Sequence, residues 1–301
     1  MGTMCEGRIC IVTGGGRGIG REHAVMLAEQ GAKVVVNDLG AEPDGTGSSA
    51  GPAGEVVDKI REMGGEAVAN GDDVSSWEGA QRLVNTAVET FGDLHVLVNN
   101  AGILRDRMLV NMTEEEWDAV IKVHLKGTFA PSRWAAAYWR ERAKEGRAND
   151  ARIINTTSTS GIYGNAGQTN YGAAKMGIAG FTIIAARELG RYGITVNAIA
   201  PGALTRLTEA LRREAPTEEQ RKAASPRWIA PLCTWLASPA SASVTGRVFE
   251  ASGQVLGVAE GWHRGPTTSP VAEPEDIGDE LLALVSKARP NAAMNGQDER
   301  V

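Results

Sequence analysis

The 301-residue chain has few cysteines and histidines, and these shortages exclude several classes of protein. Its three cysteines, Cys5, Cys10 and Cys233, are an odd number without a CxxC pairing, which favours a reduced intracellular compartment. The four histidines are too scattered to predict a metal site. No apolar run approaches the roughly 20 residues that cross a bilayer, and the amino terminus shows no signal pattern. We therefore expect a cytoplasmic protein without metal and without membrane insertion.

Positive charge is also scarce. The chain has 31 lysines and arginines against 37 acidic residues, a formal net charge of -6. A broad basic face for nucleic acid is therefore not expected. An apolar content of 42 % over this length is enough to form the core of one large α/β domain.

Apolar strands alternate with amphipathic helices along the first 255 residues. The predicted strands cover about 8–13, 33–37, 66–70, 94–99, 152–157, 195–200 and 247–251, and the predicted helices about 18–30, 54–63, 77–91, 114–144, 169–192 and 226–236. Thr113, followed three residues later by Glu116, has the spacing of a capping box at the start of the fourth helix. Short crossovers of this kind predict a Rossmann-type, doubly wound, seven-stranded parallel sheet with helices on both faces.

Three segments lie outside this alternation. Residues 40–54 are rich in glycine, serine, proline and aspartate and are predicted to form a mobile surface loop. Residues 204–226 are polar and helical, as a substrate lid or a plain surface helix would be. We expect one catalytic domain over 1–258 and a tail over 259–301 with a helix at about 274–288.

A glycine-rich turn follows the first strand and opens the first helix. Gly14, Gly18 and Gly20 leave backbone N–H groups and the positive end of the helix dipole free to face a pyrophosphate, and Arg17 and Ile19 lie in the same turn. The turn in this context predicts a dinucleotide site, although a tight turn without ligand has the same pattern.

The choice between NAD and NADP depends on two residues of opposite charge. Asp38 ends the second strand eighteen residues after Gly20, where a carboxylate accepts hydrogen bonds from ribose hydroxyls and repels a 2′-phosphate. Arg17 argues for NADP, because a guanidinium pairs with that phosphate. We give Asp38 more weight and predict NAD.

Two further strand ends are predicted to contact the cofactor, although either could be a simple turn. The residues are Asp73 and Val74 after the third strand and Asn99, Asn100, Ala101 and Gly102 after the fourth.

Tyr171 and Lys175 lie four residues apart on a predicted helix, thirteen residues after Ser158. The spacing places phenol and ammonium on one helix face. A free tyrosine has a pKa of roughly 10, and both an ammonium within about 4 to 6 Å and an oxidised nicotinamide favour its phenolate. We therefore predict that Lys175 activates Tyr171, which exchanges a proton with a substrate oxygen held by Ser158 while hydride passes between carbon and nicotinamide. A lone tyrosine would more often be a core residue; the three residues together favour catalysis.

These motifs resemble the short-chain dehydrogenase/reductase family over about residues 8–255. The matching features are the TGxxxGxG turn from Thr13 to Gly20, the acidic residue Asp38, Asn99 to Gly102, Ser158, Tyr171 with Lys175, and Pro201 with Gly202. The resemblance implies that Pro201 and Gly202 lie beside the nicotinamide.

Closer segments are similar to the (3R)-hydroxyacyl-CoA dehydrogenase domains of peroxisomal multifunctional enzymes, also called 17β-hydroxysteroid dehydrogenase type 4. These include 37–40, 102–107, 123–127, 160–165 and 230–232. The resemblance implies NAD-linked oxidation of a 3-hydroxyacyl-CoA, with a fatty or steroid-derived chain, to the 3-oxoacyl-CoA. It also implies a homodimer or homotetramer formed through the long helices at 114–144 and 169–192.

One position departs from the wider family. His124 stands where most members have the asparagine of a catalytic tetrad, so the resemblance implies a proton relay through the imidazole. A buried histidine bonded to backbone is the alternative. Arg206, Arg212 and Arg213 could meet CoA phosphates or form a solvated helix face.

Other functions remain open at this stage. An NADPH-dependent 3-oxoacyl-carrier-protein reductase, or a dehydrogenase of free steroids or sugar alcohols, would use the same motifs. A non-catalytic NAD-sensing regulator would keep the glycine turn but has no need of Ser158, Tyr171 and Lys175 together.

Overall fold

The computed structural model describes residues 2–42, 44–47, 51–205 and 215–299. The chain divides into two compact units, Met1–Ala259 and Glu260–Val301. The roles assigned to domain and tail stay predictions. No helix within the described ranges is long and apolar enough to cross a membrane.

The first unit is built on an eight-stranded sheet in the order β3-β2-β1-β4-β5-β6-β7-β8. The strands are β1 Ile9–Thr13, β2 Lys33–Asn37, β3 Ala67–Asn70, β4 Val96–Asn99, β5 Ala151–Thr156, β6 Ile194–Gly202, β7 Val248–Ser252 and β8 Leu256–Ala259. Strands β1 to β7 run parallel, which confirms the predicted doubly wound sheet. β8 was not predicted; it pairs antiparallel with β7 and forms an additional edge.

Helices cover both faces of the sheet. They are α1 Gly18–Glu29, α2 Gly51–Glu62, α3 Trp77–Phe91, α4 Glu114–Ile121, α5 Gly127–Lys144, α6 Thr159–Ile162, α7 Thr169–Leu189, α8 Glu218–Ala223 and α9 Ala230–Ala237, with α10 Ile277–Lys287 in the second unit. Short 3-10 turns occur at Leu109–Asn111, Gly190–Tyr192, Pro226–Trp228 and Pro239–Ser241.

The central strand β1 shows why the sheet needs helices on both sides. Side chains alternate between the faces of a strand, and here Cys10 and Val12 join one core cluster while Ile9 and Ile11 join the other. All five residues of β1 are buried. A strand buried on both faces reads as a continuous apolar run, which is the pattern of parallel sheets.

The long helix predicted at 114–144 contains an irregularity. Its start is capped as predicted, because the Thr113 hydroxyl accepts from the Glu116 N–H at 3.2 Å and the Glu116 carboxylate accepts from the Thr113 N–H at 3.0 Å. A π-helical turn, Lys122–Lys126, separates α4 from α5. Turns of this kind are rare and frequently lie at functional sites.

Two predicted segments differ from expectation or lie outside the described residues. The predicted end of the surface loop at residue 54 is wrong, because α2 already begins at Gly51. The lid expected at 204–226 falls largely on residues 206–214, which include Arg206, Arg212 and Arg213 and lie outside the described residues.

Candidate active site

The carboxyl ends of the parallel strands form a cleft at the edge of the sheet. The chain fills the sheet first on one side of β1 and then on the other, so the crossovers diverge between β1 and β4, and ligands of such sheets bind at this point. Most of the residues predicted from sequence line the cleft: Gly14, Arg17, Gly18, Ile19, Asp38, Asp73, Val74, Asn100, Ala101, Gly102, His124, Tyr171, Lys175 and Pro201.

The glycine turn has the backbone shape that a phosphate cradle needs. Gly14 and Gly18 have φ angles of +59° and +52°, which side chains disfavour. A Cβ on Gly14 would lie 2.8 Å from the Cα of Ala101. Gly20 does not line the cleft; a Cβ there would lie 2.1 Å from the Gly14 carbonyl oxygen, so Gly20 lets helix and turn pack closely. These features fit a dinucleotide bound over the turn.

Asp38 is fixed at the wall of the cleft by two backbone donors. Its Oδ2 accepts from the Gly16 N–H at 2.8 Å and its Oδ1 from the Gly40 N–H at 2.7 Å. The competing cation, Arg17, donates through Nη1 to the Ala41 carbonyl at 3.3 Å. Both residues weighed for cofactor choice therefore lie in the same part of the cleft.

The two asparagines after β4 have different partners. Asn100 ties the end of β4 to the glycine turn, because its Nδ2 donates to the Thr13 and Gly14 carbonyls at 3.0 and 3.1 Å. Asn99 is buried and donates instead to Ser132 and Asn155, both at 2.9 Å. Asn99 thus lies behind the cleft wall, where it holds α5 and β5 to β4.

The other predicted contacts are also distributed. Asp73 accepts from Ser75 through its backbone N–H and hydroxyl at 2.8 and 2.6 Å. At the end of β6, Pro201 lines the cleft, whereas a Cβ on Gly202 would lie 3.1 Å from the Cβ of Ser252. Gly202 therefore allows close packing against β7.

The three predicted catalytic residues converge where β5 meets α7. Lys175 Nζ donates to the Thr156 carbonyl at 2.6 Å and lies 5.5 Å from the centroid of the Tyr171 ring. Ser158 follows β5 and caps α6, where its Oγ accepts from the Ser160 N–H at 3.1 Å. Ser158 is buried outside the cleft lining, yet it is hydrogen-bonded to Tyr171.

Burial sets the protonation of this pair in the protein alone. Burial raises the pKa of Tyr171 to about 12, the hydrogen bond to Ser158 acts in the opposite direction, and the negative charge of Asp106 adds to the rise. Burial also lowers the pKa of Lys175 to about 7. In the protein alone, desolvation therefore opposes the phenolate, and activation of Tyr171 by Lys175 together with an oxidised nicotinamide stays a prediction.

His124 lies on the π-helical turn and contacts Tyr171 edge to face at a centroid distance of 5.1 Å. Its Nε2 is 3.1 Å from the Ile103 N–H nitrogen and 2.7 Å from the Ile103 carbonyl oxygen. Burial and then the charge of Lys175 lower the pKa of His124 to about 3, so the ring is neutral. Within the described residues Nδ1 has no hydrogen-bond partner. The backbone contact matches the structural alternative, and Nδ1 keeps the capacity to relay a proton.

Sequence reasoning missed several residues of the cleft. They are Asn37, Leu39, Ala41, Gly45, Asp72, Ile103, Leu104, Val123, Thr156, Ala203 and Thr205. Most follow a strand end directly, a signal that was available, but Ala41 and Gly45 belong to the insertion that the sequence predicted as a mobile surface loop. In the described residues no group of three or more histidine, cysteine or acidic side chains forms a metal site.

Comparison with known proteins gives consistent relatives. The sequence model of a family described as short chain dehydrogenase matches residues 8–219. Hydroxyacyl-CoA dehydrogenase ChsB1 of Mycobacterium tuberculosis is 47 % identical over 255 residues, which are 82 % of this chain and 78 % of that protein. Peroxisomal multifunctional enzyme type 2 of Mus musculus is 44 % identical over 259 residues, 86 % of this chain but 33 % of that enzyme.

Two further matches span nearly the full length of the relative. A 3-oxoacyl-[acyl-carrier-protein] reductase of Synechocystis is 40 % identical over 258 residues, 84 % of this chain and 99 % of that protein. A crystal structure of a short chain dehydrogenase from Mycobacterium avium superposes with a TM-score of 0.87 at 52 % identity, covering 96 % of this chain and 98 % of that one.

Proposed function

The chain belongs to the short-chain dehydrogenase/reductase family, and we propose that it is an NAD-dependent enzyme that oxidises a 3-hydroxyacyl-CoA to the 3-oxoacyl-CoA. The observation that carries the proposal is that Tyr171, Lys175, the glycine turn and Asp38 all line one cleft. The substrate class is supported by the 47 % identity to a hydroxyacyl-CoA dehydrogenase. A fatty or steroid-derived acyl chain fits the proposal equally.

In the proposed reaction Ser158, Tyr171 and Lys175 act together to bind the substrate hydroxyl and remove its proton. Ser158 and Tyr171 bind the substrate hydroxyl, and the Tyr171 phenolate removes its proton. Bound NAD supplies the hydride acceptor and a positive ring that favours the phenolate. Lys175, held by the Thr156 carbonyl at 2.6 Å, keeps its amino group beside the Tyr171 ring. Positioned acid–base groups of this kind typically contribute about 10²- to 10⁴-fold to the rate.

A substrate panel with one variant tests this function. NADH absorbance is followed with short, medium, long and steroid-side-chain 3-hydroxyacyl-CoAs, free steroids and sugar alcohols. We expect turnover with a CoA ester and a loss of at least about 10²-fold in kcat for Tyr171→Phe, with NADH binding retained. Absence of turnover with every CoA ester would overturn the substrate assignment, and full activity of Tyr171→Phe would overturn the mechanism.

The cofactor preference has its own test. A carboxylate next to the adenosine ribose repels a 2′-phosphate, so we expect a higher kcat/KM with NAD than with NADP. In Asp38→Asn the ratio of the two kcat/KM values should be smaller. Initial rates at equal NAD and NADP concentrations measure both. A preference for NADP in the unchanged protein, combined with faster 3-oxoacyl reduction, would favour the second candidate, a 3-oxoacyl-carrier-protein reductase, to which the Synechocystis relative points.

We further propose a cytoplasmic homodimer or homotetramer. Exposed apolar side chains on the two long helical segments support the assembly: Trp117 on α4, Phe129 on α5 and Ile184 on α7 are 37 %, 43 % and 58 % exposed in the single chain. Surface of this kind favours burial between subunits. Light scattering of the purified protein would measure its mass in solution.

A further inference from the structure

Asp106 lies between β4 and α4 and contacts the residue that precedes the catalytic helix. Its Oδ2 accepts from Gln168 Nε2 at 2.7 Å. Gln168 is the residue before α7, and its Oε1 accepts from Asn165 Nδ2 at 2.9 Å. The Gln168 carbonyl also accepts from the Gly172 N–H at 2.6 Å. Asp106 therefore holds the side chain of the residue from which the first turn of α7 starts.

The neighbours of Asp106 join the same two segments through their backbones. The Arg107 N–H donates to the Gly167 carbonyl at 2.8 Å. Asn170 Nδ2 donates to the Arg105 carbonyl at 2.9 Å. Tyr171 follows Asn170 directly, so residues 105–107 fix the part of α7 that carries the phenol.

The charge of Asp106 has no cation to balance it among the described residues. Its Oδ1 is buried and receives no hydrogen bond there. The adjacent Arg105 donates through Nε to the Asp44 carbonyl at 2.9 Å, and Arg107 pairs with Glu116 at 2.8 Å. A half-buried carboxylate without an ion pair exerts a stronger field on its surroundings than a solvated one.

We propose that Asp106 is a positioning residue for Tyr171: it orients the first turn of the catalytic helix through Gln168, and its negative charge acts on the phenol. The inference rests on the proposed acid–base role of Tyr171. The charged and titratable groups that act on the phenol are Lys175 from α7, neutral His124 from the π-helical turn, and Asp106, and Ser158 after β5 is hydrogen-bonded to it. Asp106 is the acidic member of this set, and its charge raises the pKa of Tyr171.

The two parts of the role act in separable ways. The charge opposes ionisation, so it delays the phenolate to higher pH and keeps the proton available for the reverse reduction. The hydrogen bond from Gln168 to Asp106 sets the position of the first turn of α7. It favours neither the phenol nor the phenolate form of Tyr171. Burial raises the pKa of Asp106 itself, and the hydrogen bond from Gln168 acts in the opposite direction.

Three variants separate charge from position. Asp106→Asn removes the charge and keeps an oxygen that accepts from Gln168. Gln168→Leu keeps the charge and removes the hydrogen bond. Asp118→Asn, an exposed carboxylate on α4, is the matched control for removing one negative charge. Thermal melting shows that each variant is folded before it is compared.

The ionisation of Tyr171 is read directly, so the test does not depend on the substrate. The chain has four tyrosines, so protein labelled with ¹³Cζ-tyrosine gives four NMR signals. The signal that is missing in Tyr171→Phe is that of Tyr171. The titration is followed from pH 6 to 11 with NAD present. We expect Asp106→Asn to shift the Tyr171 midpoint about 0.5 to 1 unit lower, while Gln168→Leu and Asp118→Asn leave it within about 0.2 unit.

Where turnover is found, the kinetics follow the same division. The rising limb of kcat for oxidation moves to lower pH in Asp106→Asn, and kcat at the optimum falls about tenfold in Gln168→Leu without a shift of the limb. An unmoved Tyr171 midpoint in folded Asp106→Asn would overturn the charge role, and unchanged kcat in Gln168→Leu would overturn the positioning role. A shifted midpoint in a protein without CoA-ester turnover would support Asp106 while refuting the proposed substrate.

Discussion

At the scale of single residues, Gly102 shows how closely the backbone approaches the candidate site. A Cβ at this position would lie 2.4 Å from His124 Cε1, a distance that forces the imidazole to move. Because His124 packs edge to face against Tyr171, we expect Gly102→Ala to displace the phenol and lower kcat/KM by about 10²-fold. Gly54→Ala on α2, where the added methyl meets open space, is the matched control. Equal kinetics of the two variants would contradict this contact.

The same residues show what a sequence pattern reveals and what it leaves out. The placement of Tyr171 and Lys175 on one helix and of Gly14 in a turn was predictable, because sequence spacing fixes such positions locally. Their roles stay predictions. The role of Gly102 was predicted only as space for a cofactor, since its contact with His124 joins segments 22 residues apart. The protonation of Tyr171 and Lys175 in the protein alone could not be predicted from their spacing. Burial governs the pKa of Tyr171 and Lys175, and burial depends on the whole fold.

At the scale of elements, the insertion after β2 is tied to the cleft. Ala41 and Gly45 line the cleft, and a Cβ on Gly45 would lie 3.1 Å from Ile103 Cδ1. Arg105 donates to the Asp44 carbonyl at 2.9 Å. The glycine- and serine-rich composition predicts a mobile loop, which stays a prediction; the contacts of its described residues with distant parts of the chain are not encoded in that composition.

We expect Arg105→Ala to weaken cofactor binding, because the insertion loses its bond to the segment after β4. One hydrogen bond of about 1 kcal/mol corresponds to roughly fivefold in Kd. NADH fluorescence titration measures the Kd without a substrate. Arg107→Ala is the control, since Arg107 pairs with Glu116 and not with the insertion. A Kd for NADH equally raised in both variants would indicate a general charge effect instead.

The π-helical turn was beyond prediction at this scale. Apolar periodicity over 114–144 indicates one helix, and α4 and α5 do follow each other along the chain. The extra residue in the turn shows as a bond from the Gly127 N–H to the Lys122 carbonyl, five residues back. Its consequence is the placement of His124 against Tyr171, which hydrophobic pattern does not encode.

At the scale of the whole molecule, the parallel sheet was predictable because its rules are general. Alternation of strands and helices with right-handed crossovers leaves few arrangements, and each brings the strand ends together at one edge. The exception is β8, a four-residue strand with exposed Leu256 and Val258. A short edge strand of mixed exposure has no clear periodicity, so its pairing with β7 follows from tertiary contacts.

Stability of the whole molecule should depend on pH through buried histidine. His23 on α1 is 1 % exposed, and burial lowers its pKa to about 3 from the ordinary value of 6.5. Below pH 6.5 His23 binds a proton in the unfolded chain but stays neutral in the folded chain. The free energy of unfolding therefore decreases as pH falls from 6.5 towards 3. Each such histidine contributes a slope of about 1.4 kcal/mol per pH unit.

Urea unfolding between pH 7 and 5 measures this slope. We expect the free energy of unfolding to decrease over the interval, and His23→Leu to flatten the decrease by about 1.4 kcal/mol per pH unit below 6.5. The control is His263→Gln, an exposed position of the second unit, which should leave the slope unchanged. His124, whose pKa burial also lowers to about 3, supplies a second contribution that persists in both variants. If His23→Leu and His263→Gln show the same pH slope as the unchanged protein, burial of a neutral His23 does not govern acid stability.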